Sequence, residues 1–148
     1  MSKAADISLE TTARIRDECL CFHAQRAARA LARRFDEALR PVGLTNGQFS
    51  LLMSLNRSEP AGMAAVASLL VMDRTTLTAA IKPLARRGLV KVTVDRADRR
   101  GRLMALTPAG RSLLTGAVPI WERVQAELEE RLANADPDRL RADLRALS

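Results

Sequence analysis

Aromatic side chains are nearly absent from this sequence. It has three phenylalanines, one tryptophan and no tyrosine among 148 residues. A core cannot rest on rings and must come from Leu, Ala, Val and Met, side chains that suit helices. Histidine is scarcer still: His23 stands alone. That removes most nucleophile–base pairs, and a zinc site would need carboxylates or a second subunit. A glycine-rich phosphate loop and a paired-carboxylate constellation are also missing, so no enzymatic machinery is in view. No cofactor or metal is expected. Cysteine is limited to Cys19 and Cys21. Two positions apart on a helix they point to different sides, out of reach of an unstrained disulfide, as suits a reducing compartment. No apolar run approaches the roughly 20 residues of a membrane span. Residues 1–13 are polar and lack the apolar segment of a secretion signal. A soluble cytoplasmic protein with no membrane partner is expected.

Positive charge is plentiful. The formal net charge is +7, and Lys3, Lys82 and Lys91 are the only lysines, so arginine carries nearly all of it. A basic chain of this size points to a polyanionic partner, with nucleic acid first. A genome rich in G and C explains part of the arginine excess, so the placement of the charge must carry the argument. Apolar residues make up 47% of the chain, enough to bury the core of one ordinary domain.

The apolar periodicity predicts a mainly helical chain. Leu20, Ala24, Ala27, Leu31, Phe35 and Leu39 recur at spacings of three and four, which predicts one long helix over 11–40. Arg26, Arg29 and Arg33 lie on another face, and Pro41 with Gly43 ends the helix. Thr45 and Gln48 form a capping box for a second helix reaching about Leu55, with Leu44 and Phe49 as its hydrophobic staple. A short third helix is expected over 61–70. Asp73 caps a fourth, with Leu77, Ile81 and Leu84 as its buried stripe and Gly88 as a left-handed stop. Pro83 should kink it. Val90, Val92 and Val94 alternate with Lys91 and Thr93, the period of a half-buried strand. Residues 103–106 pair back as a second strand, giving a small β-hairpin. Thr107 and Pro108 open a fifth helix to about Ala133, bent at Pro119, and Asp136 with Pro137 opens a last one.

Two short helices, a tight turn and a basic hairpin form a winged helix-turn-helix layout. A helix fits the major groove of B-DNA, and polar side chains near its N-terminus reach base edges and phosphates. In the fourth helix these are Arg74, Thr75, Thr76, Thr78 and Lys82. The hairpin tip places Arg96, Arg99, Arg100 and Arg102 with Asp98 in one stretch, a basic finger suited to the negative minor groove.

The chain here resembles the MarR family of transcriptional regulators. The resemblance covers residues 39–114. It rests on Leu44-Thr45 with Gln48-Phe49, on 69–81 and on Arg87-Gly88-Leu89-Val90. It rests above all on Asp98-Arg99-Arg100 followed by Leu106-Thr107-Pro108-Ala109-Gly110. Met63, where a capping Ser or Thr often begins the third helix, and Pro83 depart from the pattern. The resemblance implies a homodimer in which 11–40 and 108–148 supply the dimerisation helices and 44–107 the winged DNA-binding region. It implies a repressor that binds a palindrome in double-stranded DNA, with Arg100 inserted in the minor groove and Asp98 orienting it. Leu114, Val118, Trp121, Gln125, Leu128 and Leu132 form a mostly apolar stripe on the fifth helix that a partner chain would cover. Family analogy also implies a small aromatic or phenolic effector, held by Phe22, Arg26, Phe49, Met53 and Trp121. Leu20-Cys21-Phe22 sits where peroxide-sensing members carry a reactive cysteine, which would make Cys21 a thiol switch. Without tyrosines to hold a thiolate, a small buried helix residue is the favoured reading of Cys21. A winged-helix protein-interaction module that does not bind DNA is the competing class.

Overall fold

The protein, seen in a computed structural model, is described over residues 6–148; Lys3 and the start of the polar N-terminal stretch lie outside them. Helices α1 (Leu9–Glu18) and α2 (Leu20–Leu39) lead into a 3-10 turn (Arg40–Val42) and α3 (Asn46–Ser54). Strand β1 (Ala61–Gly62), α4 (Met63–Leu70), α5 (Arg74–Arg86), β2 (Val90–Val94) and β3 (Arg102–Leu106) follow. Helices α6 (Pro108–Arg131) and α7 (Pro137–Ala146) close the chain.

The expected long helix over 11–40 is broken at Cys19, whose backbone is extended (φ −68°, ψ 110°). The polar groups freed by the break are satisfied locally. The Cys19 thiol caps α2 by accepting from the Phe22 N–H at 3.4 Å, and the His23 ring Nε2 lies 3.0 Å from the Asp17 carbonyl. In an unbroken helix that carbonyl would take the N–H of Cys21. Cys19 and His23 thus both serve the joint.

The sheet has three strands in the order β1-β3-β2, all antiparallel, where two were expected. Ala61 pairs with Met104 and Gly62 with Leu103, so the first two residues of the expected third helix are a strand. A two-residue strand carries no periodicity, which is why alternation did not reveal it. β2 pairs with β3 from Val90↔Leu106 to Val94↔Arg102. Only Val90 is buried; Val92 and Val94 stand exposed as the ribbon leaves the body.

The core lies in the middle of the chain. Leu39, Leu51, Leu52, Val66, Leu77, Leu84 and Met104 are all but completely buried, and Leu114 and Ala117 of α6 join them. At about 1.5–3 kcal/mol for each large side chain withdrawn from water, this cluster holds the winged body together. Helices α1 and α7 contribute no buried residue.

Helix ends set the angles between elements. The capping box at Thr45 and Gln48 is formed. Helix α5 runs through Pro83 to Arg86. It ends in a Schellman arrangement: Gly88 N donates to Ala85 O and Leu89 N to Leu84 O, both at 3.0 Å, with Gly88 left-handed. Helix α4 ends the same way, through Val71 N to Ser68 O and Met72 N to Ala67 O, but its left-handed residue is Val71 (φ 51°). A β-branched side chain is strained there. Helix α6 begins against the α5 stop. Thr107 caps α6 through Gly110 N, and its hydroxyl donates to Gly88 O at 2.6 Å. Its N–H donates to Leu89 O at 3.1 Å. A Cβ on Gly110 would lie 2.0 Å from Leu89 O, a backbone atom.

Gly110→Ala is expected to lose more than the usual ~1–3 kcal/mol of an overpacked site, because backbone must move. Val71→Gly is expected to gain about 1 kcal/mol by relieving the left-handed strain. Urea unfolding of both variants checks these signs.

Candidate nucleic-acid interface

Helix α5 exists because Asp73 stops the preceding turn and caps it. The Asp73 carboxylate accepts from Thr76 N at 2.7 Å and from the Thr76 hydroxyl at 2.8 Å. These bonds hold the Asp73 carboxyl below its ordinary range, the backbone N–H contributing most. Leu77, Ile81 and Leu84 are buried as the stripe required, which turns Arg74, Thr75, Thr76, Thr78 and Lys82 outward. The Thr78 hydroxyl donates to Arg74 O at 2.8 Å, within the helix. Thr76 therefore has a structural task at the cap, while Arg74 and Lys82 are the free cations of this face.

The wing tip is a folded turn. Asp95 N donates to Gly101 O at 3.1 Å and Gly101 N to Asp98 O at 2.8 Å. The two carboxylates at the tip are engaged by backbone: Asp95 accepts from Ala97 N at 2.9 Å and Asp98 from Arg100 N at 3.0 Å. Asp98 was expected to hold the Arg100 guanidinium. It holds the Arg100 backbone instead, because the aspartate side chain two residues earlier is well placed for that N–H. Arg102 donates to the carbonyls of Arg99 and Gly101. Among the described residues, Arg96, Arg99, Arg100 and Arg102 are all exposed and none is ion-paired; the salt bridges lie in α1, α2, α6 and α7.

These two elements share one opening. A concavity of about 520 Å³ is lined by Arg74 and Thr78 of α5, by Asp95, Asp98, Arg100 and Arg102 of the wing, and by the start of α4. The uncapped first turn of α4 adds backbone N–H groups there, since Gly62 offers no side chain. Lys82 and Arg96 are exposed but do not line it.

A second cavity, of about 300 Å³, lies between α2, α3 and α6. Phe49, Met53 and Trp121 line it. Phe22 and Arg26 do not. They sit farther up α2, where the Arg26 guanidinium packs over the Phe22 ring at 5.6 Å. Leu31 and Phe35 take their place, each about two and a half turns nearer α3. Asn46 also lines the cavity, and it was missed. Its N–H and its Nδ2 donate to the Asp36 carboxylate at 2.7 and 2.9 Å. The only sequence signal for Asp36 is an acid near the end of a helix otherwise rich in arginine and alanine. Cys21, expected to be buried, is exposed in the single chain, and its sulfur accepts from Gln25 Nε2 at 3.1 Å. No three potential metal ligands cluster among the described residues, and no single helix there is long and apolar enough to cross a membrane.

Comparison with known proteins places this geometry. Residues 44–101 match the model of the MarR family. The chain is 34% identical over 122 residues to BadR, a transcriptional activatory protein of Rhodopseudomonas palustris; the match covers 80% of this chain and 63% of that relative. It is similar to the M. tuberculosis transcriptional regulator MosR in complex with DNA, with a TM-score of 0.79 and 41% identity over 88% of this chain and 93% of that one. It is also similar to the transcriptional repressor CouR bound to a 23-mer DNA duplex, with a TM-score of 0.80 and 27% identity, covering 97% and 99% of the two chains. CouR from Rhodococcus jostii RHA1 bound to p-coumaroyl-CoA matches with a TM-score of 0.70 and 26% identity, covering 88% and 90%.

Because the Asp73 carboxyl is held low when folded, its contribution is full well above the ordinary value of about 3.9. It is lost as pH falls through the lower folded value. Asp73→Ala is therefore expected to lower the urea midpoint at pH 7, with the gap to the parent narrowing as pH falls from about 5 through the ordinary carboxylate value and below it. A gap that stays constant as pH falls through and below that value refutes the ionised cap.

Proposed function

The chain belongs to the MarR family, and we propose that it is a sequence-specific DNA-binding transcriptional regulator that reads a palindromic operator as a cytoplasmic homodimer. The reading rests on one observation: unpaired arginines of the wing and the polar face of α5 open onto a single concavity. A helix in the major groove and an arginine finger in the neighbouring minor groove would be presented together by that surface. Arg74, Thr75, Thr78 and Lys82 face the major groove in this reading. Thr76 supports them by locking the cap. Arg100 enters the minor groove, with Arg96, Arg99 and Arg102 on flanking phosphates and Asp98 fixing the turn.

The dimer is supported by what the single chain leaves uncovered. Leu9, Leu140 and Leu144 are exposed on helices that bury nothing within the chain, and Leu20 of α2, Val118 and Trp121 of α6 and Leu147 after α7 are exposed as well. A second copy would cover these faces, and two heads on one scaffold match a two-fold operator. Occupying an operator across a promoter excludes polymerase, so repression is the output. The cavity between α2, α3 and α6 suits a small aromatic or phenolic effector. Such a ligand acts by favouring one spacing of the two heads.

Arg100→Ala and Lys82→Ala are each expected to weaken operator binding about tenfold or more in a gel shift at fixed salt, with an unchanged unfolding curve. Removing a phosphate contact should also flatten the dependence on log salt concentration by about one unit. Unchanged affinity in both variants, or binding that ignores salt, overturns the reading in favour of a protein-interaction module.

A further inference from the structure

The joint between α2 and α3 holds a device that the DNA-binding surface does not use. Helix α2 belongs to the long scaffold, and α3 opens the winged body. Apolar contact between them comes from Phe35, Leu39 and Phe49, and the cavity of about 300 Å³ lies in the same joint. Apolar contact has no direction, and beside a void it permits rotation. Direction comes from Asp36. Its Oδ1 accepts both the backbone N–H and the side-chain Nδ2 of Asn46, at 2.7 and 2.9 Å. Among the described residues these are the only side-chain hydrogen bonds between α2 and the winged body. The other long-range bond of α2, from Arg34 to Glu127, goes to α6.

Asn46 is the first residue of α3, so its N–H is one of the free donors at a helix N-terminus. Thr45 caps the same turn through Gln48 N and leaves the Asn46 N–H to Asp36. The carboxylate is thus tied to the axis of α3 by a charge-assisted pair of bonds, short and directional. Through the shared core of Leu51, Leu52, Leu77 and Leu84, a tilt of α3 is transmitted to α5. The amide of Asn46 also forms part of the cavity wall. An occupant with a hydrogen-bond acceptor at that end competes with Asp36 for the Nδ2 group.

We propose that Asp36, gripping Asn46 across the α2–α3 joint, is the positioning residue that sets the angle of each reading head on the dimer scaffold. The inference rests on the DNA-binding reading above. It is specific about where coupling enters: a head that is loose on its scaffold still reads one half-site, but it no longer matches the spacing of two.

The test compares a full palindrome with a single half-site, using the operator recovered by in vitro selection with the intact protein. Asp36→Ala is expected to lose about tenfold in affinity for the full site, within the usual range of coupling between sites, and to keep half-site affinity within about twofold. Asp36→Asn keeps an acceptor for the Asn46 N–H and should recover much of the loss. Asn46→Ala, which keeps the backbone bond, should fall between them. Equal losses on both sites mean that Asp36 merely stabilises the fold, and an unchanged full-site affinity means that the joint needs no clamp; either overturns the proposal. If the parent protein itself binds the full site no better than the half-site, the dimeric reading fails first and the positioning role with it. Arg100→Ala, by contrast, should weaken both sites, which separates failure of the DNA surface from failure of the joint.

Discussion

The close approach of α6 to the carbonyl of Leu89 is the constraint from which the rest of the structure is hung. One backbone oxygen, at the stop of helix α5, meets the Thr107 N–H and the bare Cα of Gly110. The Thr107 hydroxyl takes the neighbouring carbonyl of Gly88. On the other side, Arg87 donates to the carbonyl of Gly43 at 2.9 Å, in the turn that follows α2. Three consecutive residues thus tie the end of α5 to both long helices. A methyl group at position 110 would wedge this joint open, and the angle between the wing, α5 and the scaffold would change with it.

Around that joint the molecule separates its interactions by kind. Apolar burial is concentrated in the winged body, where leucines of α3, α4 and α5 close on Met104 and Leu106 of the sheet. Ion pairs occur on the scaffold, where Glu127 takes Arg34 and Arg123, and Glu129 takes Arg141. Such exposed pairs add little to stability, but they use up scaffold charge. The acids near the wing and α5, Asp73, Asp95 and Asp98, are spent on backbone N–H groups instead. The arginines beside them stay free, so the net positive charge of the chain is expressed where α5 and the wing meet.

The scaffold side is unfinished in a single chain. Helices α1 and α7 bury nothing, and the break at Cys19 gives the N-terminal arm a direction of its own. The cavity beside Asn46 lies where this open side meets the closed winged body. Packing there is incomplete, and the Asp36 clamp supplies the direction that packing lacks.

Much of this was legible in the sequence. Capping chemistry is local, so Thr45 with Gln48, Asp73, Gly88 and Thr107 marked helix ends at the right residues, and the buried stripe of α5 decided which of its side chains face outward. The basic tip was visible as a run of arginines. Tertiary structure alone decided the rest. The strand at Ala61–Gly62 is too short to carry a period and exists because β3 offers a free edge. The cavity is lined by Leu31, Phe35 and Asn46 because the α2–α3 angle, not residue type, selects which turn of α2 faces it. Asp98 chose a backbone N–H over a guanidinium because the turn put that donor nearer. Sequence patterns report what neighbours along the chain do for each other; which distant groups meet is settled by the angles between packed helices.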